Sequence, residues 1–226
     1  MTKPTAFNWK SLTAKLMLAG ALTCSLTACV PVMLVSGAVG GGMAAVDRRT
    51  VGAQTEDKAI TLKGENIAYK LAGDKGHVNV TSFNRKVLLT GEVDSEATKQ
   101  AIANAMTGVE NVQSVINEIA ILAPSSFGSR SNDTLLTTKV SSSLLAEKNL
   151  YSSAFKTVTE RGTVYLMGRV TEEEGDHAAR VAAGVSGVQN VVKVFEYITP
   201  EELEKLVILQ KSNNQDNVSS SPDEIE

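Results

Sequence analysis

Cysteine is almost missing from this chain of 226 residues: only Cys24 and Cys29 occur, both near the N-terminus. No disulfide, thiolate metal site or cysteine nucleophile can therefore be built in the body of the protein. Histidine is as scarce, with His77 and His177 alone. His177 follows Glu172, Glu173, Glu174 and Asp176, which reads as a solvated acidic first helical turn rather than a metal site. Aromatic residues make up 4% of the chain, and lysine and arginine do not cluster, so the footprint of a nucleic-acid binder is lacking. The glycines at 40–42 lack the lysine and serine of a phosphate loop, and no serine sits in a nucleophile elbow. The sequence predicts no catalytic residue, no metal site and no cofactor.

Long apolar runs are also few. Residues 16–22, "LMLAGAL", are too short to span a bilayer, which takes about 20 apolar residues. They follow Lys3, Lys10 and Lys15, and no acid occurs before Asp47. A basic start, a short apolar core and small residues before a cut site predict a secretory signal over 1–28. Leu26, Thr27, Ala28 and Cys29 resemble a bacterial lipobox, so Cys29 is the expected lipidation site, carrying diacylglycerol and a third acyl chain. Cys24, preceded by Leu22 and Thr23, fits poorly. Val30 stands where inner-membrane retention signals place aspartate, which directs the expectation to the outer membrane. Residues 30–46 form a glycine-rich apolar run that fits a buried spacer, a second attempted span or a tether near the lipid surface. The glycines favour the tether, within an anchor region spanning 29–56. Arg48 and Arg49 follow it, either close to the lipid surface or simply solvated.

Loss of 1–28 removes three lysines and no acid, leaving 19 basic and 25 acidic side chains and a net charge of −6. Much of that sits in 199–226, with seven acids against two lysines. "EELEKLVIL" predicts a short helix there, with disorder expected past about Leu209.

What remains is duplicated. "KVLLTGEVDSEATKQAIANAMTGVENVQSVINEIAI" matches "TVYLMGRVTEEEGDHAARVAAGVSGVQNVVKVFEYI". Val87, Leu89 and Gly91 pair with Val164, Leu166 and Gly168, and beyond the helix Gly108, Val109 and Val112 are matched to Gly187, Val188 and Val191. On that pairing the first copy is two residues shorter through the helix. Alternation along 87–93 and 164–170 is strand patterning. Asp94 or Thr171 is the expected cap of a helix that turns Ala97, Ala101, Ile102, Ala105 and Met106, or Ala178, Val181, Ala182 and Val185, inward. A last strand follows, 115–121 or 191–198. Ahead of each pair lies another helix and strand. Asp57 opens the first, with Ile60, Gly64, Ile67 and Leu71 inward, before "HVNVTSF". Asn132 or Asp133 opens the second, with Leu136, Val140 and Leu144 inward, before "FKTVTE" and a turn at Arg161–Gly162. The fold class is α+β: two tandem units, each helix-strand-strand-helix-strand, with two helices on one face of a small three-stranded mixed sheet. The units span 57–122 and 133–198, joined by a turn-rich linker at 123–132. Tyr165, Met167, Val192, Val194 and Ile198 lie on the faces away from the helices, either between the two units or partly exposed.

The strand "VYLMGRV", the helix after it and the closing "GVQNVVKV", present twice in order, resemble the BON domain, a lipid-associated module of bacterial envelope proteins. The resemblance covers 57–121 and 133–198. With the lipobox ahead, it implies a dual-BON lipoprotein anchored in the inner leaflet of the outer membrane and facing the periplasm. It also implies binding of anionic phospholipid through the first helix of the second domain, support of envelope integrity and association with the division site. Cell-envelope or division proteins are implied as further partners. The helix that lines up is 133–148. With Leu136, Val140 and Leu144 inward, Leu135, Lys139, Ser142 and Ala146 share a flank. There Leu135 is placed to enter the acyl boundary and Lys139 to meet a phosphate, with Ser142 and Ala146 small enough for close approach. Lys148 and Lys156 assist, and Glu147 opposes. Family members favour an aromatic residue where this chain has Leu135. A scaffold that recruits or regulates envelope enzymes is the other reading of the same sequence.

Overall fold

The computed structural model describes residues 47–148 and 150–219. The signal, Cys29 and the apolar run at 30–46 lie outside the described residues. In chain order the elements are α1 (Val51–Ala72), β1 (His77–Phe83), β2 (Lys86–Val93), α2 (Glu96–Thr107), β3 (Ser114–Asn117) and β4 (Ala120–Ile121). The second copy gives α3 (Phe127–Ala146), β5 (Phe155–Glu160), β6 (Thr163–Val170), α4 (Glu172–Ala183) and β7 (Asn190–Tyr197), followed by α5 (Pro200–Ser219). In each sheet the middle strand, β2 or β6, pairs antiparallel with the strand before it and parallel with the one after the helix.

Periodicity explains both helical layers. Ile60, Gly64 and Ala68 of α1 pack with Ile102 and Met106 of α2 on Val87, Leu89 and Val93. Gly64 is required because a β-carbon there would collide with Val80 and Met106. Leu136, Val140 and Leu144 of α3 pack with Ala178 and Ala182 of α4 around Val164, Leu166 and Val170. The inward stripes of the first copy differ in part from expectation. Ile67 packs at the margin of the core beside the fully buried Ala68, Leu71 is exposed, and Ala97 and Ala101 face solvent, because the bulkier Ile102 and Met106 claim the sheet.

Each hairpin turns on two residues with positive φ, Asn84–Arg85 and Arg161–Gly162, the geometry that suits the strand twist. An aspartate from the preceding helix grips each turn. Asp57 accepts from the N–H groups of Asn84 (2.7 Å) and Arg85 (2.8 Å), and Asp133 from those of Arg161 and Gly162 (2.9 Å each). These are the aspartates expected to open the helices. Instead they are buried inside them, and the caps are Thr50 and Ser126, so both helices start earlier than expected and α3 takes in part of the 123–132 linker. A side chain placed to bind a turn 28 residues downstream has the same local appearance as an N-cap. Asp133→Ala is expected to cost about 2 kcal/mol by stripping two charge-assisted acceptors from the turn, measured by urea denaturation.

Further corrections concern alignment and ends. Ser95, not Asp94, caps α2, while Thr171 forms a full capping box with Glu174. Because α2 and α4 have 12 residues each, Gly108 pairs with Gly184, and the left-handed position is Asn111 in one copy and Gly187 in the other. The first copy is therefore one residue longer between strand and cap, not two shorter through the helix. Its last strand is broken at 118–119, where Ile119 turns into the core and Asn117 accepts from the Ile119 N–H, giving the first sheet a fourth short segment. α5 runs ten residues past Leu209, where disorder is expected; Thr199 and Glu202 cap it reciprocally, and neither glycine nor a second proline interrupts it.

The remaining faces of the two sheets cover each other. Phe83 and Leu88 of the first meet Tyr165, Met167 and Val194 of the second, with Ile116, Val158 and Val192 at the margin. Tyr165, Met167, Val192 and Val194 therefore lie between the domains, and β2 is buried on both faces. Polar contacts rim the seam: Asn79 donates to Glu160 (2.8 Å), Asn84 to Glu196 (2.6 Å), Lys86 to the Phe195 carbonyl (2.8 Å) and Arg161 to the fully buried Glu92 (3.3 Å). Burial pushes the Glu160 carboxyl above its ordinary range, with Glu92 and Asp133 nearby adding to the rise. The layers run α1/α2, first sheet, second sheet, α3/α4.

A strap completes the assembly. Arg48 is buried and grips Glu174 with both nitrogens (2.6 and 2.8 Å) and the Arg169 carbonyl (2.8 Å), with its guanidinium 5.7 Å from the Tyr151 ring centre. Arg49 binds Asp47 and Asp57 and lies 4.1 Å from the Phe83 ring centre. Neither arginine is a free surface charge. One holds the second domain and the other the first, at the point where the chain arrives from its N-terminal segment.

Candidate functional site: the outer face of the second-domain helix

Ser126 starts α3 by accepting from the Ser129 N–H, and the Leu136, Val140 and Leu144 stripe fixes its rotation on the sheet. That rotation determines what faces outward. Leu135 is 62% exposed, Leu145 71% and Phe127 79%. Leu135, Lys139, Ser142 and Ala146 fall within about 60° of one another around the helix, as their spacing requires, and all four are exposed. Lys139, Ser142 and Ala146 line a shallow open groove whose opposite wall is Arg180, Val181 and Val185 from the end of α4. Lys148 is exposed just past the helix and does not line the groove.

Cations predominate on this face. α3 contains a single acid, Asp133, and it is turned inward onto the hairpin. Arg180 adds a second cation to Lys139 across the groove. Glu147 closes the groove at its C-terminal end and lies 3.7 Å from His177 Nε2. Asp176 pairs with Lys193 at 2.8 Å, an exposed ion pair that occupies its carboxylate. Among the described residues no three His, Cys, Asp or Glu side chains come together as metal ligands.

The sequence alone missed three contributors. Phe127 was placed in the linker, although the serine before it is a good cap. Leu145 is legible in retrospect: adjacent Leu144 and Leu145 cannot both face the sheet. Arg180 comes from another helix, and no local pattern places it opposite Lys139.

The BON domain profile matches residues 65–123 and 132–199. The chain is 37% identical over 178 residues to the outer membrane lipoprotein DolP of Haemophilus influenzae, covering 78% of this chain and 92% of that protein. It is 34% identical to a 21 kDa hemolysin of Actinobacillus pleuropneumoniae over 68% of this chain and 80% of that one. It is 30% identical to the osmotically-inducible protein Y of Escherichia coli, over 62% of this chain and 72% of that one. Among the described residues no helix is long and apolar enough to cross a membrane.

Proposed function

Since this chain belongs to the BON domain family and is an outer-membrane lipoprotein within it, we propose that it binds anionic phospholipid through the outer face of α3. In this reading the acylated Cys29 supplies residence in the inner leaflet, α3 selects the lipid, and binding supports outer-membrane integrity, including at the division site. One observation carries the reading: the 20-residue helix α3 exposes Phe127, Leu135 and Leu145, turns its only acid inward, and presents Lys139 across a groove from Arg180 of α4.

The magnitudes fit a selective but reversible contact. A lysine or arginine near an anionic surface contributes about 1 kcal/mol, and full burial of one leucine about 2 kcal/mol. Partial insertion of three apolar side chains with two cations is weak alone, and it becomes effective once acyl chains hold the protein at the surface. Leucine at position 135 enters the acyl boundary without an aromatic ring's affinity for the headgroup layer.

A soluble form covering residues 47–219 retains all three hydrophobic clusters and the Arg48 strap. It is expected to sediment with phosphatidylglycerol vesicles and not with phosphatidylcholine vesicles. Leu135→Ser with Lys139→Gln should reduce that binding about tenfold. Equal sedimentation with both lipids, or no effect of the double change, contradicts the proposal. Docking of an envelope protein on an open sheet face is not favoured, because the two sheets cover each other.

A further inference from the structure

The layer order places α1 and α3 on opposite sides of the molecule: α1 packs outside the first sheet, α3 outside the second, and the sheets face each other between them. When the outer face of α3 rests on the anchoring membrane, the outer face of α1 points away from it. That face is not an ordinary solvated surface. Val51, Leu62 and Tyr69 are 80%, 61% and 73% exposed. They share one side of the helix over about 27 Å, because spacings of 11 and 7 residues return to the same direction. Lys58 lies in line with this stripe and Lys63 and Lys70 lie on one flank of it, all three exposed. Glu65 is exposed beside the stripe on the side of Lys58, and Glu56 is held by Asn111 at 3.0 Å. Lys63 lies 3.8 Å from Glu110, an exposed pair that does not cancel its charge for a larger surface.

The two helices are counterparts at a spacing of 76 residues, so Val51 corresponds to Phe127, Asp57 to Asp133 and Tyr69 to Leu145. Both keep an apolar outer stripe where a helix serving only its own sheet would be polar. α1 carries an interfacial aromatic residue, Tyr69, and three exposed lysines, where α3 has Lys139 and an Arg130 tied to the Ser125 carbonyl.

We propose that α1 is a second anionic-lipid contact, directed away from the anchoring membrane, so that the protein engages two phospholipid surfaces at once. This rests on the reading of α3 as the face turned to the anchoring membrane. The chemistry that selects the occupant is a negatively charged headgroup layer over an acyl boundary deep enough for Leu62 and the Tyr69 ring.

The test uses the acylated full-length protein reconstituted into phosphatidylglycerol vesicles, mixed with protein-free fluorescent vesicles and read by co-sedimentation. Capture of phosphatidylglycerol vesicles, but not phosphatidylcholine vesicles, is expected. Leu62→Ser with Tyr69→Ser should lower capture about tenfold, and Lys58→Gln with Lys70→Gln should lower it and weaken its salt dependence. Leu135→Ser with Lys139→Gln should leave capture in place. Because every altered side chain is exposed, the melting curves of the variants should match the parent. No capture, or capture lost through α3 and indifferent to α1, overturns the proposal. The sedimentation of the soluble form tests α3 separately, so failure of one contact is distinguishable from failure of the other.

Discussion

Arg48→Ala is expected to lower the melting temperature by roughly 10 °C, from a loss of about 3–5 kcal/mol and a sensitivity of about 2–4 °C per kcal/mol for a protein of this size. The guanidinium is almost entirely buried and makes three hydrogen bonds, two to Glu174 and one to the Arg169 carbonyl. Its removal strands those acceptors where little water reaches. Arg48→Lys should recover part of the loss, because an ammonium keeps the charge and not the two-pronged geometry. Acidity adds a check. Burial raises the Glu174 carboxyl, but hydrogen bonds from Arg48 and from the Thr171 backbone outweigh it and hold it below its ordinary value. A depressed carboxylate contributes stability that is full above its unfolded pKa and is lost as pH falls through its folded one. The parent and Arg48→Ala melting curves should therefore differ most near neutrality and converge below the ordinary carboxylate range. Trypsin should also cut faster after Arg49 in the variant, because the strap is tied down on one side only.

Leu88→Ala should cost about 2–5 kcal/mol, although Leu88 belongs to neither helix-covered core. It is fully buried in the seam against Phe83, Tyr165, Met167 and Val194. Truncation leaves a cavity in the middle of the small apolar cluster that joins the two sheets. Denaturant unfolding of the parent should be a single transition. The variant should show two, as each domain retains its own core and the coupling between them is weakened. Leu145→Ala, an exposed leucine on α3, is the contrast and should change stability by no more than about 0.5 kcal/mol.

These two residues show where sequence reading reached and where it stopped. Strands, hairpin turns and the duplication were legible because alternation and a left-handed turn leave local marks, as in 164–170 and Arg161–Gly162. The stripe Leu136, Val140 and Leu144 set the rotation of α3, which made the exposure of Leu135 and Lys139 derivable. Contacts between distant segments left no such mark. Arg48 and Glu174 are 126 residues apart, and nothing near Arg48 distinguishes a buried clasp from a solvated charge. Asp57 and Asp133 were legible as important and misassigned in role, since a helix cap and a turn clamp use the same side chain. The offset after the helix slipped because two glycines, Gly184 and Gly187, compete as partners of Gly108, and only the strand register separates them.

The chain's single tryptophan is Trp9, ahead of residue 47. A tryptophan introduced as Leu135→Trp is therefore alone in the 47–219 form and reports directly on the face through which the protein is held to touch lipid. With phosphatidylglycerol vesicles its emission should shift to the blue and be quenched by bromine-labelled acyl chains, while phosphatidylcholine vesicles leave it unchanged. An emission spectrum that stays at its aqueous position with both lipids would contradict the account.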